Sequence, residues 1–482
     1  MEKNQVRTRF APSPTGYLHI GGLRTALYSY LYAKKTGGKF ILRIEDTDQN
    51  RLVADSIDNI LKTMKEAGLF YDEGPDVGGD YGPYIQSQRK NEYLKYAKIL
   101  IEKGEAYYCF CTKERLENLP DEKGARKYDK HCLALSKEET QKRIESGEPF
   151  VIRQNMPTEG ISSYVDAVFG EISVKNEELE DNILIKSDGM PTYNFANVID
   201  DHLMGINVVM RGTEYLTSTP KYNLLYDAFG WKRPMYIHMP PIMRDKEHKL
   251  SKRDGAASYE DLIEKGYIKE AIINYIVLLG WSPKNDREKM SFEEMQQLFS
   301  IEGINRSPAI FDEVKLKWLN GLYIKEMDSD KFLHLAAPYL DKSKVAGKYD
   351  YVKLAKIIQG RTEALTEIPE KVNFLEEFDK YDINLFENAK QKSSIENAKK
   401  FLPKIIYVLQ NISTWDNASL YNVLTDLAAQ EDVKKSGILW ITRIAISGKE
   451  STPGGATELA DLLGKEETLK RLLFSLDLLN KV

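Results

Sequence analysis

Apolar and polar positions alternate over residues 6–10, which predicts a short strand. The strand runs into Ala11, Pro12, Ser13, Pro14, Thr15 and Gly16. Two prolines and a glycine continue neither strand nor helix, so a rigid turn is expected. Leu23, Ala26, Leu27, Tyr30 and Leu31 then recur at three- and four-residue spacing and predict a helix beginning near His19. Residues 39–44, KFILRI, read as a buried strand that ends in Glu45, Asp46, Thr47 and Asp48. A second amphipathic helix follows, with Ile57, Ile60, Leu61 and Met64 on one face and Gly68 placed to end it. Strand, helix, strand, helix at this spacing implies an α/β unit on a parallel sheet with right-handed crossovers. Such sheets bind ligands at the carboxyl ends of their strands, here 9–13 and 45–48.

The pattern breaks at residues 71–84, rich in Gly and Asp, and a helix leads to Gly104. Residues 105–186 look irregular, with strands expected at 150–153 and 164–169, and read as an insertion. The sheet is expected to resume at 182–186, turn at Ser187, Asp188 and Gly189, and continue through 191–200. Residues 208–210 form a buried strand ending in Arg211, Gly212, Thr213 and Glu214, and a helix over 218–229 closes on Gly230. Beyond 326 the pattern is helical, with stripes at Leu333, Leu335, Ala336 and Leu340, at Leu354, Ile357, Ile358 and Leu365, and over 459–479. Four parts result: 1–104 and 187–325 as halves of one nucleotide-binding domain, 105–186 inserted between them, and 326–482 as a helical domain.

Length and composition fit this division. A chain of 482 residues with 42% apolar and 29% charged residues is too long for one core and has the balance of a globular protein. No apolar run is long enough for a transmembrane helix, and the polar start MEKNQVRTRF is not a signal peptide. A net charge of −5 neither demands nor forbids nucleic acid, so RNA binding would need cations gathered on one face. Three cysteines, Cys109, Cys111 and Cys132, argue against a disulfide framework and for the cytoplasm.

Gly21 and Gly22 fall in the first turn of the first helix, whose N–H groups and dipole suit a phosphate, and His19 stands just before them. Neither Walker nor GxGxxG spacing is present. A second stretch, His248, Lys249, Leu250, Ser251, Lys252, Arg253, Asp254, Gly255, sets cations around a serine and suits a loop closing over a triphosphate. His19, Ile20, Gly21 and Gly22 resemble the HIGH signature of class I aminoacyl-tRNA synthetases. The run from Arg9 to Gly21 is similar to the glutamyl/glutaminyl branch, and residues 249–253, KLSKR, resemble the KMSKS signature in its glutamyl form.

The resemblance implies a Rossmann-type class I catalytic domain with an inserted acceptor-binding subdomain, a second half over 187–325 that carries the KMSKS-like loop and a stem-contact region, and an all-helical anticodon-binding domain. It implies activation of L-glutamate by ATP with Mg²⁺, then transfer to the 3′ end of tRNA(Glu) by a monomer, with tRNA needed even for the first step. His19, Lys249, Ser251, Lys252 and Arg253 would serve catalysis, and His19, Gly21, Gly22 and Lys252 the ATP. Arg9, Ala11, Ser13, Glu45, Tyr193, Asn197, Arg211 and Glu214 would form the glutamate pocket or its rim. Chemistry agrees: a dicarboxylic amino acid needs arginines for its carboxylates and an acid for its ammonium. The contrary reading pairs the strand-end arginines with Glu45 or Asp46 in a local salt-bridge network.

Cys109, Cys111 and Cys132 have the look of a zinc knuckle, but Leu133 and Ala134 follow Cys132 where the family places its last ligand. Tyr128 or His131 is the substitute; the alternative is three idle thiols of a lost site. Two related readings stay open, a glutaminyl enzyme and a truncated paralogue that glutamylates a modified tRNA base. A small-molecule nucleotidyltransferase leaves the helical tail without a purpose.

Overall fold

The computed structural model describes residues 5–122, 125–250 and 258–481. They form two compact units, 1–263 with 272–312 and 264–271 with 313–482. The first begins with strand β1 (Arg7–Phe10), helix α1 (Ile20–Lys35) and strand β2 (Lys39–Leu42), with β1 and β2 parallel and Arg9 opposite Ile41. Helix α1 is almost wholly buried along Leu23, Ala26, Leu27, Tyr30 and Leu31, as the spacing predicted. Helix α2 (Ser56–Glu66) follows, and Gly68 takes the positive φ of a helix stop.

Helix α3 (Lys90–Glu102) leads into the insertion. There β3 (Ala106–Cys109), β4 (Val151–Gln154) and, later, β7 (Ile183–Ile185) make a small antiparallel sheet in the order β3, β4, β7. Between them lies a hairpin, β5 (Ile161–Asp166) and β6 (Gly170–Lys175). The hairpin joins the central sheet: β8 (Val208–Gly212) and β9 (Met235–Met239) are parallel, and β9 pairs Tyr236 with Asp166 of β5. Asn207, just ahead of β8, exchanges hydrogen bonds with the Arg7 backbone, which seats β1 beside β8.

One expectation fails. Residues 191–200 do not continue the sheet; helix α4 spans Tyr193–Leu203, with Thr192 extended at its start. Phe195, Val198, Ile199 and Leu203 recur at helical spacing, but the polar Asn197, Asp200 and Asp201 between them are buried as well, so burial here does not follow polarity. Helix α5 (Thr219–Phe229) ends on Gly230 at φ 73°, as expected. Tyr93, Ala97, Ile152, Leu184, Phe195, Ile199, Tyr222 and Leu225 close one core between α3, α4, α5 and the small sheet. Each leucine, isoleucine or phenylalanine among them contributes roughly 1.5–3 kcal/mol by leaving water.

The second unit is helical among its described residues, and its core joins Phe332, Ala336, Leu340, Leu354, Ile358, Leu402, Ile405, Leu424, Ile441 and Leu472. Helix Glu313–Glu326 is grouped with this unit. In the first stripe Phe332 replaces Leu333 and Leu335, which are only partly buried. The C-terminal helical stretch Ala456–Asn480 breaks at Gly464, where φ is 77°. No helix among the described residues is long and apolar enough to cross a membrane.

Candidate active site

The turn after β1 places His19 in extended geometry just ahead of α1, where its Nδ1 accepts the Gly21 N–H at 3.0 Å. That bond commits one lone pair and leaves the ring proton on Nε2. A Cβ at Gly22 would stand 2.9 Å from Leu18 Cδ1, and one at Gly21 would stand 3.3 Å from the His19 ring. A side chain at Gly22 would thus push the flexible end of Leu18, and one at Gly21 would crowd the His19 ring by a few tenths of an ångström. Lys249 is exposed and pairs with Met243 through the backbone, while Leu250 N–H donates to Ile242 O. Ser251, Lys252 and Arg253 lie outside the described residues. The chain re-enters the described structure at Ser258, which pairs with His19. Ser258, five residues beyond the second signature, thus lies beside His19 of the first.

At the strand ends the arginines divide. Arg9 is buried, with Nε 3.1 Å from Asp201 Oδ1 and Nη1 donating to Met210 O at 3.3 Å. Arg43, fully buried, bridges Asp201 and Glu45 at 2.7 Å each. Arg89 meets Asp200 at 2.7 Å, and Gln86 and Tyr93 donate to the same carboxylate. Arg9, Arg43 and Arg89 thereby face Glu45, Asp200 and Asp201 in a sealed, balanced lattice. Burial alone would raise the Asp201 carboxyl, but Arg9 and Arg43 hold it below its usual range. Glu45 goes the other way: burial lifts it despite Arg43 and Arg9. Its Oε1 takes the Arg43 bonds, whereas its buried Oε2 has no hydrogen-bond partner among the described residues. An unpartnered buried carboxylate oxygen is costly and is a place for a cationic ligand.

Arg211 differs from all three. Its Nε donates to His238 Nε2 at 3.1 Å and its Nη2 to Thr219 Oγ1 at 2.6 Å. The rings of Tyr215, Tyr222 and Tyr236 lie 4.9, 4.8 and 5.3 Å from its guanidinium carbon. Among the described residues no carboxylate pairs with it. The salt-bridge network expected as the contrary reading therefore holds for Arg9 only with another partner, Asp201 in place of Glu45 or Asp46, and not for Arg211. Tyr193 links the two ends of the site: burial raises its phenol far above the usual range, followed by Glu45, with Arg211 opposing. Asn197, buried one helical turn along α4, donates to Tyr193 O at 2.7 Å. Ser13 Oγ donates to Glu45 O at 2.9 Å and so braces the loop on the strand end; Ala11 is half-buried beside it. Glu214 is exposed and folds back over Gly212, where a Cβ would stand 2.0 Å from its Oε2.

Sequence reasoning missed Arg43, Asp200, Asp201, Asp166 and His238. A signal existed for two of them: Arg43 interrupts KFILRI and His238 interrupts MYIHM, and a polar group in a buried strand needs a partner.

In the insertion, Cys109, Cys111 and Cys132 bring their sulfurs within 4.8 Å of one another. Tyr128 Oη lies 3.2 Å from Cys109 Sγ and 3.5 Å from Cys111 Sγ, while His131 is exposed. Cys111 and Cys132 sulfurs are 3.5 Å apart, close to the ~3.8 Å that tetrahedral bonds of about 2.3 Å to a shared ion require. Phe110 N–H donates to Cys132 Sγ, and the Arg153 guanidinium sits 4.2 Å over the Tyr128 ring. The Cys132 hydrogen bond, first among several causes, lowers the Cys109 thiol to about 4. Three sulfurs and a phenol oxygen fit a zinc ion.

Residues 5–318 match the family described as tRNA synthetases class I (E and Q), catalytic domain, and residues 331–476 match an anticodon binding domain. A glutamate–tRNA ligase of Clostridium kluyveri is 54% identical over 476 residues, covering 98% of each chain. That of Clostridium acetobutylicum is 54% identical over 485 residues and covers all of both. The crystal structure of a glutamate tRNA ligase from Elizabethkingia meningosepticum, in complex with its amino acid, superposes with a TM-score of 0.87 at 33% identity, covering 99% of this chain and 100% of that one.

Proposed function

Because the chain belongs to the glutamate branch of the class I tRNA synthetases, matched along its whole length, we propose that it is a glutamate–tRNA ligase. It activates L-glutamate with ATP to glutamyl-adenylate and pyrophosphate, then passes the glutamyl group to the 3′ end of tRNA(Glu), releasing AMP. Full-length matches that include the helical C-terminal part favour this over a truncated base-modifying paralogue or a glutaminyl enzyme.

The observation that carries the substrate is the pair of incomplete charges: Arg211 without a carboxylate, and Glu45 Oε2 without a donor. A glutamate molecule completes both, its side-chain carboxylate on Arg211 and its ammonium on Glu45, with Tyr193 and Asn197 beside them. Arg9, Ala11, Ser13 and Glu214 belong to the pocket wall or rim. The α-carboxylate is then left to attack the α-phosphorus of ATP. His19 Nε2–H, at the start of α1 with Gly21 and Gly22, donates to a phosphate oxygen. Lys249, Ser251, Lys252 and Arg253 belong to the loop over the triphosphate, and Mg²⁺ supplies further charge neutralisation there when bound. The 2′-hydroxyl of the terminal ribose takes the glutamyl group from the adenylate. No side chain acts as a nucleophile; the work is positioning and charge stabilisation.

Zinc held by Cys109, Cys111, Cys132 and Tyr128 would clamp the small sheet of the insertion, which on this reading holds the acceptor end. The helical unit holds the anticodon. The protein works as a monomer in the cytoplasm. The test is ATP–pyrophosphate exchange with glutamate or glutamine, each with and without tRNA(Glu). Exchange with glutamate that requires tRNA is expected; exchange with glutamine would overturn the substrate.

A further inference from the structure

Behind Arg211 lies a second, fully buried layer. His238 Nδ1 is 2.7 Å from Asp166 Oδ2, and the His238 backbone N–H donates to the same oxygen at 3.1 Å. Asp166 Oδ1 accepts the backbone N–H groups of Val168 and Phe169, both at 2.9 Å. Every contact of this carboxylate is therefore a donor to it, and Asp166 is held ionised. With the Nδ1 proton given to Asp166, His238 Nε2 bears a lone pair, and it accepts Nε–H of Arg211. Thr219 Oγ1 donates to Tyr215 O at 2.7 Å, which turns its lone pair toward Nη2 of Arg211.

We propose that Asp166 and His238 are positioning residues that fix the Arg211 guanidinium through a neutral imidazole, so that Arg211 is oriented while its charge stays available to the carboxylate of the substrate. The contrast is Arg9, whose acid touches it directly and satisfies its charge inside the protein. At Arg211 the acid is withdrawn by the width of an imidazole, and the groups in contact are a neutral ring nitrogen, a hydroxyl and three aromatic faces. Such a site is starved of an anion. It rewards a carboxylate over the neutral amide of glutamine, because a neutral ligand leaves the buried charge uncompensated. The same arrangement explains why the Ile161–Lys175 hairpin leaves the insertion to join the central sheet: the register that pairs Asp166 with Tyr236 delivers the carboxylate to the neighbouring His238.

The inference rests on the assignment of Arg211 to the glutamate side chain, and one set of variants separates the two. In tRNA-dependent ATP–pyrophosphate exchange, His238→Leu should raise the glutamate KM about tenfold, with the ATP KM within about twofold of wild type. His238→Gln, whose amide oxygen replaces Nε2 as acceptor, should recover most of that loss. An unchanged glutamate KM in His238→Leu, or a fall in kcat and a rise in both KM values together that glutamine at 238 does not rescue, overturns the positioning role. Arg211→Ala is the reference: if it leaves the glutamate KM unchanged, the carboxylate assignment itself is wrong. If it raises that KM and His238→Leu does not, only the relay is.

Discussion

Arg9 and Arg211 are the same residue type at the ends of β1 and β8, and their neighbours give them different work. Arg9 shares Asp201 with Arg43 inside a sealed lattice, whereas the partners of Arg211 among the described residues are neutral. Nothing in the two local sequences separates them, because the deciding acid, Asp201, lies far along the chain on α4. The lattice predicts a large effect. Asp201→Ala leaves two buried guanidinium groups short of an anion and should cost about 3–5 kcal/mol in chemical denaturation. A loss below about 1 kcal/mol would mean that water or a rearranged acid already serves these arginines.

Helix α4 and the insertion show where local pattern misleads. Tyr193–Leu203 carries the stripe Phe195, Val198, Ile199 and Leu203, yet the polar Asn197, Asp200 and Asp201 are buried with it. As a helix it stacks Tyr193 and Asn197 about 6 Å apart along one face, whereas a strand would hold them on one face but about 13 Å apart. The cysteine segment is the opposite case. Cys109, Cys111 and Cys132 were conspicuous from composition, and the fold added the fourth donor by bringing Tyr128 rather than His131 to them. The purified protein is expected to carry stoichiometric zinc by elemental analysis. Cys132→Ala and prolonged chelation should both remove it and lower the thermal midpoint, since a structural ion contributes folding free energy. Metal-free protein of undiminished stability would identify the thiols as relics.

In the whole molecule the domain division does not follow the sequence in one cut. Residues 264–271 leave the first unit, and Ile268 and Ala271 enter the core of the helical unit with Phe332, Leu354 and Ile358. Gly266, at φ 85°, makes that entry possible: a Cβ there would stand 2.6 Å from the Thr366 backbone nitrogen. A chain truncated after Asp312 should therefore expose Ile268 and Ala271 and bind a hydrophobic dye more strongly than the full protein. Equal dye binding would show that this segment refolds without its partners.

Much was legible in the order of residues alone. The β1 turn, α1, the strand ends, the two signatures, the thiols and the helical tail are local patterns, written in spacing, glycine and proline, and local patterns need no fold to be read. What the order of residues could not supply were pairings between distant positions: Asp201 with Arg9 and Arg43, Asp166 with His238 and so with Arg211, Ser258 with His19. A buried charge is defined by its partner and its distance from water, and both exist only once β5, β8, β9 and α4 have packed. The sequence set which chemistry was possible; the packing decided which arginine kept its charge free for a ligand.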